Sequence, residues 1–367
     1  MNRFVSRGAM VLAAMLSVPA FADGHDDDRQ HPLTVAVFGD WPYSQNLLDN
    51  AHLLINSVDA DRDVSLVIHV GDIHSGSMPC TSAGILPPIP ASKPGWNQDI
   101  FFEFQQFHDP LVYVPGDNEW SDCHKSKQSS SGAPLKELAS VRELFFSRPG
   151  KTLGQHPRRV QTQAQDFDLA HPSDSQFVEN VRWTDSDVTF ATFNIPGGSN
   201  DDTAAWSGAF ADPDAQKEEQ LERSAANLRW LQAAFDTARA EHSRAVVIVL
   251  QADMWDPEAI AAGGAGLDKY TPFVAKLAEL TLKFRRPVLL LNGDTHLYET
   301  DQPLADPAGK TGVIHHTPAV SNLWRVVVQG STNAPAEWLK LVIDTRKAQP
   351  FSWSNVPYCA EPLGSCQ

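Results

Sequence analysis

Beyond its N-terminus the chain has no long apolar run, it has no closely paired cysteines, and it is short of positive charge. Each lack excludes something. No later stretch approaches the ~18 apolar residues of a membrane helix. Cys80, Cys123, Cys359 and Cys366 are the only cysteines, and no C-x-x-C spacing marks a zinc site. No N-x-S/T triplet offers a glycan acceptor. Lys and Arg number 29 against 45 Asp and Glu, a formal net charge of −16 over 367 residues. Such a chain is a poor partner for a nucleic-acid backbone or an anionic membrane. The plainest reading of the charge is solubility.

What is present begins with an export signal. Arg3 and Arg7 precede the apolar Ala9 to Val18, and Ala20-Phe21-Ala22 is an A-x-A cleavage site. Residues 1–22 are therefore expected to be removed, leaving an exported protein, periplasmic or extracellular. Residues 23–32 read as a polar, disordered lead-in. Four cysteines in an exported chain suggest two disulfides, with three pairings open. Cys80–Cys123 is favoured because both lie in loops after Gly-Asp turns. Cys359–Cys366 would close a short loop in a C-terminal tail, 347–367.

The chain is organised around Leu66-Val67-Ile68-His69-Val70-Gly71-Asp72. This apolar run is too short for a helix and stops at a turn signal, so it reads as a buried strand. The device recurs at Gly39-Asp40, Gly116-Asp117 and Gly293-Asp294, the last with His296 two residues on. One Gly-Asp is an ordinary turn or a helix cap. Four of them could gather four carboxylates at one sheet edge, the side where open α/β folds place ligands. Gathered carboxylates repel one another, and a divalent metal is the simple resolution.

Between these strand ends the spacing predicts helices at Gln45 to Asp59, Asn97 to Phe107, Pro134 to Phe146, Lys217 to Glu241 and Thr271 to Lys283. A hairpin is expected within Phe177 to Ile195. A buried strand at Ala245 to Leu250 ends at Gln251. Short strands follow at Arg325 to Val328, Leu339 to Ile343 and Phe351 to Trp353. Strand–helix alternation followed by strands implies an α/β fold, two sheets face to face with helices outside. Ser75 to Gly95 and Gly197 to Asp214 read as long loops.

In order and strand context, Gly39-Asp40, Gly71-Asp72, Gly116-Asp117-Asn118-Glu119, Gln251 and Gly293-Asp294-Thr295-His296 resemble the five motif blocks of the calcineurin-like metallophosphoesterases, which include the purple acid phosphatases. The resemblance spans about residues 33 to 300, within a domain taken as 33–346. It implies a four-layer α/β/β/α sandwich of two mixed sheets with two adjacent metal ions. It also implies hydrolysis of a small-molecule phosphoester by a metal-activated hydroxide. Carried over by position, one metal would take Asp40, Asp72 and His296. The other would take Asp72, Asp117, Gln251 and Asp294. Pro42, Asp117, Asn118, Gln251 and Asp294 depart from the family pattern. The oxygen-rich set suits Mg²⁺, Mn²⁺ or Ca²⁺ better than zinc.

Asn118 stands where the family keeps a catalytic histidine, and an amide cannot donate a proton to a leaving group. Asn118 itself could orient the phosphate. Glu119, His74 and His124 are the nearby candidates for the proton. Against each stands a blander role, a polar turn or a loop histidine. Trp41, Trp120 and Trp255 follow site strands and would either wall a pocket or pack the sheet edge. The lost histidines leave a second functional class open, a non-catalytic exported binding protein on the same fold.

Overall fold

The computed structural model describes Met1 and residues 31–80, 95–201 and 205–366. The signal segment, the lead-in as far as residue 30 and the centre of the Ser75–Gly95 loop lie outside the described residues. The chain divides into two units, Met1–His31 and Pro32–Gln367. The second carries the fold.

Its strands are β1 (Leu33–Phe38), β2 (Val64–His69), β3 (Leu111–Tyr113), β4 (Gln161–Thr162), β5 (Val181–Asp185), β6 (Val188–Thr192), β7 (Ala245–Val249), β8 (Val288–Asn292), β9 (Glu299–Asp301), β10 (Leu323–Val327), β11 (Ala336–Ile343) and β12 (Phe351–Cys359). They form two mixed sheets, ordered β12-β11-β1-β2-β3 and β4-β5-β6-β7-β8-β10-β9. β1, β2 and β3 are mutually parallel, as are β6, β7, β8 and β10.

Strand side chains alternate between faces, and here both faces are covered. Val35 and Val37 of β1 pack with Ile68, Val247 and Leu291 between the sheets. Ala36 and Phe38 turn the other way, toward Leu54, Ile100 and Phe104 of the helices Ala51–Asp59 and Trp96–Phe104. On the far side Ile248 and Leu290 meet Trp230, Phe235 and Leu277 of the helices Pro213–Ala240 and Thr271–Phe284. The result is the four-layer α/β/β/α sandwich.

Local differences from expectation have local causes. The first helix is two, Gln45–Asp49 and Ala51–Asp59. Asn50 breaks it by turning its side-chain amide back onto the Asn46 carbonyl at 2.9 Å, a side-chain competition for backbone acceptors. The longest helix starts earlier than its apolar stripe, because Asp212 caps the Ala215 N–H and Pro213 takes the first turn. The expected C-terminal tail is sheet as far as Cys359, since β12 pairs along the whole of β11. Both disulfides form as paired above, Cys80–Cys123 and Cys359–Cys366. They fit an oxidising compartment. Among the described residues no helix is long and apolar enough to cross a membrane.

Candidate functional site

The carboxyl ends of β1, β2 and β3 meet those of β7 and β8 from the other sheet. The Asp40 N–H donates to the Gly71 carbonyl (2.8 Å) and the Trp41 N–H to the Asp72 carbonyl (2.9 Å), which stitches two Gly-Asp turns together. The Asp294 N–H donates across to Asp40 Oδ2 at 3.2 Å, tying the sheets. Glycine is required where these turns touch. Gly71 has φ +107°, and a Cβ there would lie 2.6 Å from Gln251 Cγ. At Gly116 a Cβ would collide with Asp72 Oδ1.

Asp40, Asp72, Asp294 and His296 have φ of 47°, 61°, 80° and 64°. The left-handed region costs a residue with a Cβ roughly 1–2 kcal/mol. Strain of this kind persists where the surroundings over-determine it and clusters at functional sites. Four of the six residues expected as metal ligands carry it.

A phenol, not anticipated from the sequence, sits at the centre. The Tyr43 hydroxyl lies 3.1 Å from both Asp40 Oδ1 and Asp72 Oδ2. His296 Nε2 lies 3.3 Å from the same Asp40 Oδ1. Its other nitrogen, Nδ1, is 3.2 Å from Thr332 Oγ1, and the Asn333 amide holds the His296 carbonyl at 2.6 Å. Asn118 Nδ2 donates to Asp72 Oδ2 (2.9 Å) and to the Tyr43 oxygen (3.2 Å). Gln251 Nε2 donates to Asp72 Oδ2 (3.2 Å) and Asp117 Oδ1 (3.0 Å).

Asp40 and Asp72 are essentially buried, whereas the His296 side chain is 31% exposed and marks the mouth. Burial pushes Asp72 and Asp294 well above the usual carboxylate range, and Asp117 adds to both. Burial and Asp122 raise Asp117 to about 7. Burial opposes protonation of His296, but the hydrogen bond and charge of Asp40 outweigh it and raise its pKa. The cluster is therefore short of positive charge. Lys125 and Lys127 stand beside it but pair with Asp122.

The structure brings Asp40, Asp72, Asp117, Gln251, Asp294 and His296 together, with Asn118 against Asp72. It does not give each the expected part. Gln251 turns its amide nitrogen, not its oxygen, to the carboxylates, so as placed it is no metal ligand. Asn118 is spent holding Asp72 and Tyr43. Glu119 is fully buried behind Asp72, accepting from the Ile73 N–H (3.1 Å) and the Tyr113 hydroxyl (2.7 Å). Buried His74 rests Nδ1 near the Ser75 carbonyl, and burial lowers its pKa to about 4. His124 Nδ1 meets Ser207 Oγ at 3.1 Å. Trp41, Trp120 and Trp255 are all buried and pack the sheet edge.

Donors sharing one cation at about 2.1 Å lie about 3 Å apart. The contacts joining Asp40 Oδ1, Tyr43 Oη, Asp72 Oδ2 and His296 Nε2 have that spacing. Their chemistry, three hard oxygens and an imidazole oriented by Thr332, suits one metal ion. The second expected position does not suit one, because an N–H₂ group closes it. Among the described residues no group of three or more His, Cys, Asp or Glu side chains alone makes a metal-holding cluster; here the set depends on the phenol. The signal for Tyr43 in the sequence is its place three residues after Asp40, on the Trp41-Pro42 turn.

No family model and no curated protein matches the chain. Among solved structures, one titled "GAP50 the anchor in the inner membrane complex of Plasmodium" is similar over 90% of each chain, with 10% sequence identity and a TM-score of 0.42. A likeness that faint carries no argument about what this chain does.

Proposed function

We propose that this is an exported phosphoesterase of the calcineurin-like type that works with one metal ion, held by Asp40, Tyr43, Asp72 and His296. The observation carrying the proposal is the run of contacts His296–Asp40–Tyr43–Asp72 at 3.1–3.3 Å, with Asp40, Asp72 and His296 on left-handed backbone. When bound, the ion would withdraw charge from a phosphoryl oxygen and make a water molecule more acidic.

The chain's own residues supply the rest. Thr332 meets the His296 ring at Nδ1, which leaves Nε2 toward Asp40, and Asn333 holds the His296 carbonyl. Lys125 and Lys127 place positive charge beside the Asp117 turn, where an anionic ester would arrive. Asn118 holds Asp72 and Tyr43 in register. No predicted proton donor reaches the mouth: Glu119 is sealed behind Asp72, and His74 and His124 are turned to the loops. Substrates with good leaving groups, such as aryl phosphates, are therefore favoured over alkyl esters.

The same observation favours the second reading, a binding protein that holds the metal and a phosphorylated ligand without cleaving it. The test is turnover of p-nitrophenyl phosphate and its diester by chelator-treated protein resupplied with Mg²⁺, Mn²⁺, Ca²⁺, Zn²⁺ or Fe²⁺, with Asp72→Ala in parallel. Metal-dependent release absent from the variant supports the enzyme. Metal binding without turnover on any ion leaves the binding protein.

A further inference from the structure

The orientation of the Gln251 amide is set from outside the cluster. Its Oε1 accepts the Gly197 N–H at 2.5 Å. Turning the amide over would set its NH₂ against that N–H and its oxygen against two carboxylates. Both contacts would change from attraction to repulsion. The Gly197 N–H therefore dictates that Nε2 faces Asp72 and Asp117.

Gly197 is itself held in place. It opens a turn in which Gly198, Ser199, Asn200 and Asp201 are consecutively left-handed, with φ of 59°, 62°, 57° and 57°. L-residues visit this region singly, not in runs, so the turn needs outside support. Arg223, fully buried, donates Nη1 to Asn200 Oδ1 and Nη2 to the Asn200 carbonyl (3.2 Å). The Asn200 N–H donates to the Tyr270 hydroxyl at 3.1 Å, and that hydroxyl donates to the Pro196 carbonyl. Asn200 Nδ2 reaches Ser224 Oγ, and Gln216 and Trp206 hold Asp201. Gly197 also lies against Asp294, where a Cβ would sit 2.6 Å from Oδ1.

We propose that Gln251 is a built-in substitute for a second cation. Its amide, locked by the left-handed turn, bridges Asp72 and Asp117 and restricts the site to one metal ion. The metal count rests on the one-metal reading above; the substitute role does not. The same amide that closes the position would open it if exchanged for an acceptor. Glutamate has the same length, can keep the Gly197 contact with one oxygen, and would present the other to Asp72 and Asp117.

The experiment is elemental analysis of the full exported chain, wild type, Gln251→Glu and Gln251→His, equilibrated with Mn²⁺ and desalted. Folding is checked by circular dichroism. Thermal unfolding is followed with chelator and with Mn²⁺. The expected result is one metal in wild type and two in Gln251→Glu. The variant should also melt lower than wild type in chelator and gain more from Mn²⁺. Folded variants that both keep a wild-type count of one overturn the inference while leaving the phosphoesterase reading intact; a wild type already holding two overturns the inference and the one-metal reading together. No metal in wild type but one gained by either variant keeps the substitute and overturns the one-metal reading. No metal in any of the three overturns both.

Discussion

Two acidic clusters touch beyond β7 and β8, and they balance their charge differently. In one, Asp253, Glu299 and Asp301 surround Arg325, which is buried. Its guanidinium meets Asp253 at 2.5 Å, Asp301 at 2.8 Å and Glu299 at 3.0 Å, and lies over the Trp255 ring. In the other, Asp40, Asp72, Asp117 and Asp294 converge on a phenol, two amides and one imidazole. The clusters touch, since the Asp253 N–H donates to Asp294 Oδ2. The first carries its own fixed cation and has a structural role. The second has no guanidinium at its centre, and it meets solvent at His296. On the proposed reading, that missing positive charge is supplied by a bound cation.

The comparison can be broken from either side. The largest effect is expected from Asp72→Ala, which removes the oxygen shared by Tyr43, Asn118 and Gln251. Metal content by elemental analysis should fall to none, with the fold intact by circular dichroism. Arg325→Met strikes the other cluster and leaves Asp253 without its buried partner. Urea unfolding should show a loss of about 3–5 kcal/mol, while metal content stays at the wild-type value. Tyr43→Phe keeps the ring and deletes the hydroxyl. It should weaken metal binding by titration on the order of 10–100-fold without comparable loss of stability.

A gentler probe uses pH. His315 packs against Trp255 beside the fixed cluster, with its nitrogens 2.9 Å from Thr271 Oγ1 and the Met254 carbonyl. Burial lowers its pKa from the usual 6.5 to about 4. A lowered histidine pKa means the fold prefers the neutral ring. Its contribution is present above pH 6.5 and is lost as pH falls toward 4. Urea midpoints should rise with pH across that window, less steeply in His315→Gln. The smallest effect is expected at Ser199→Gly, which relieves one left-handed residue. It should stabilise the chain by about 1 kcal/mol at most and leave metal content unchanged.

The parts legible in sequence are those fixed by neighbours in the chain. An apolar run closed by Gly-Asp announces both a buried strand and where its carboxylate emerges, so the sequence alone places Asp40, Asp72, Asp117 and Asp294 at strand ends. The four layers follow from strands apolar on both faces. What the sequence hides depends on distant partners. Tyr43 matters only because β2 brings Asp72 to its hydroxyl, and its own neighbourhood looks like a turn. Gln251 has an oxygen to offer until Gly197, 54 residues earlier, claims it. The left-handed turn shows in sequence only as two glycines, since Arg223 and Tyr270, which hold it, lie on later elements. Glu119 follows the Asp117 turn and so reads as facing a substrate, yet the chain there folds it back beneath Asp72.

The central claim is one cation among Asp40, Tyr43, Asp72 and His296. The most direct measurement is anomalous X-ray diffraction from crystals of the exported chain grown with Mn²⁺. The account predicts a single strong peak within about 2.0–2.5 Å of those four side chains, with Gln251 still bonded to Gly197. A map with no peak there, or with a second peak between Asp72, Asp117 and Asp294, would contradict it.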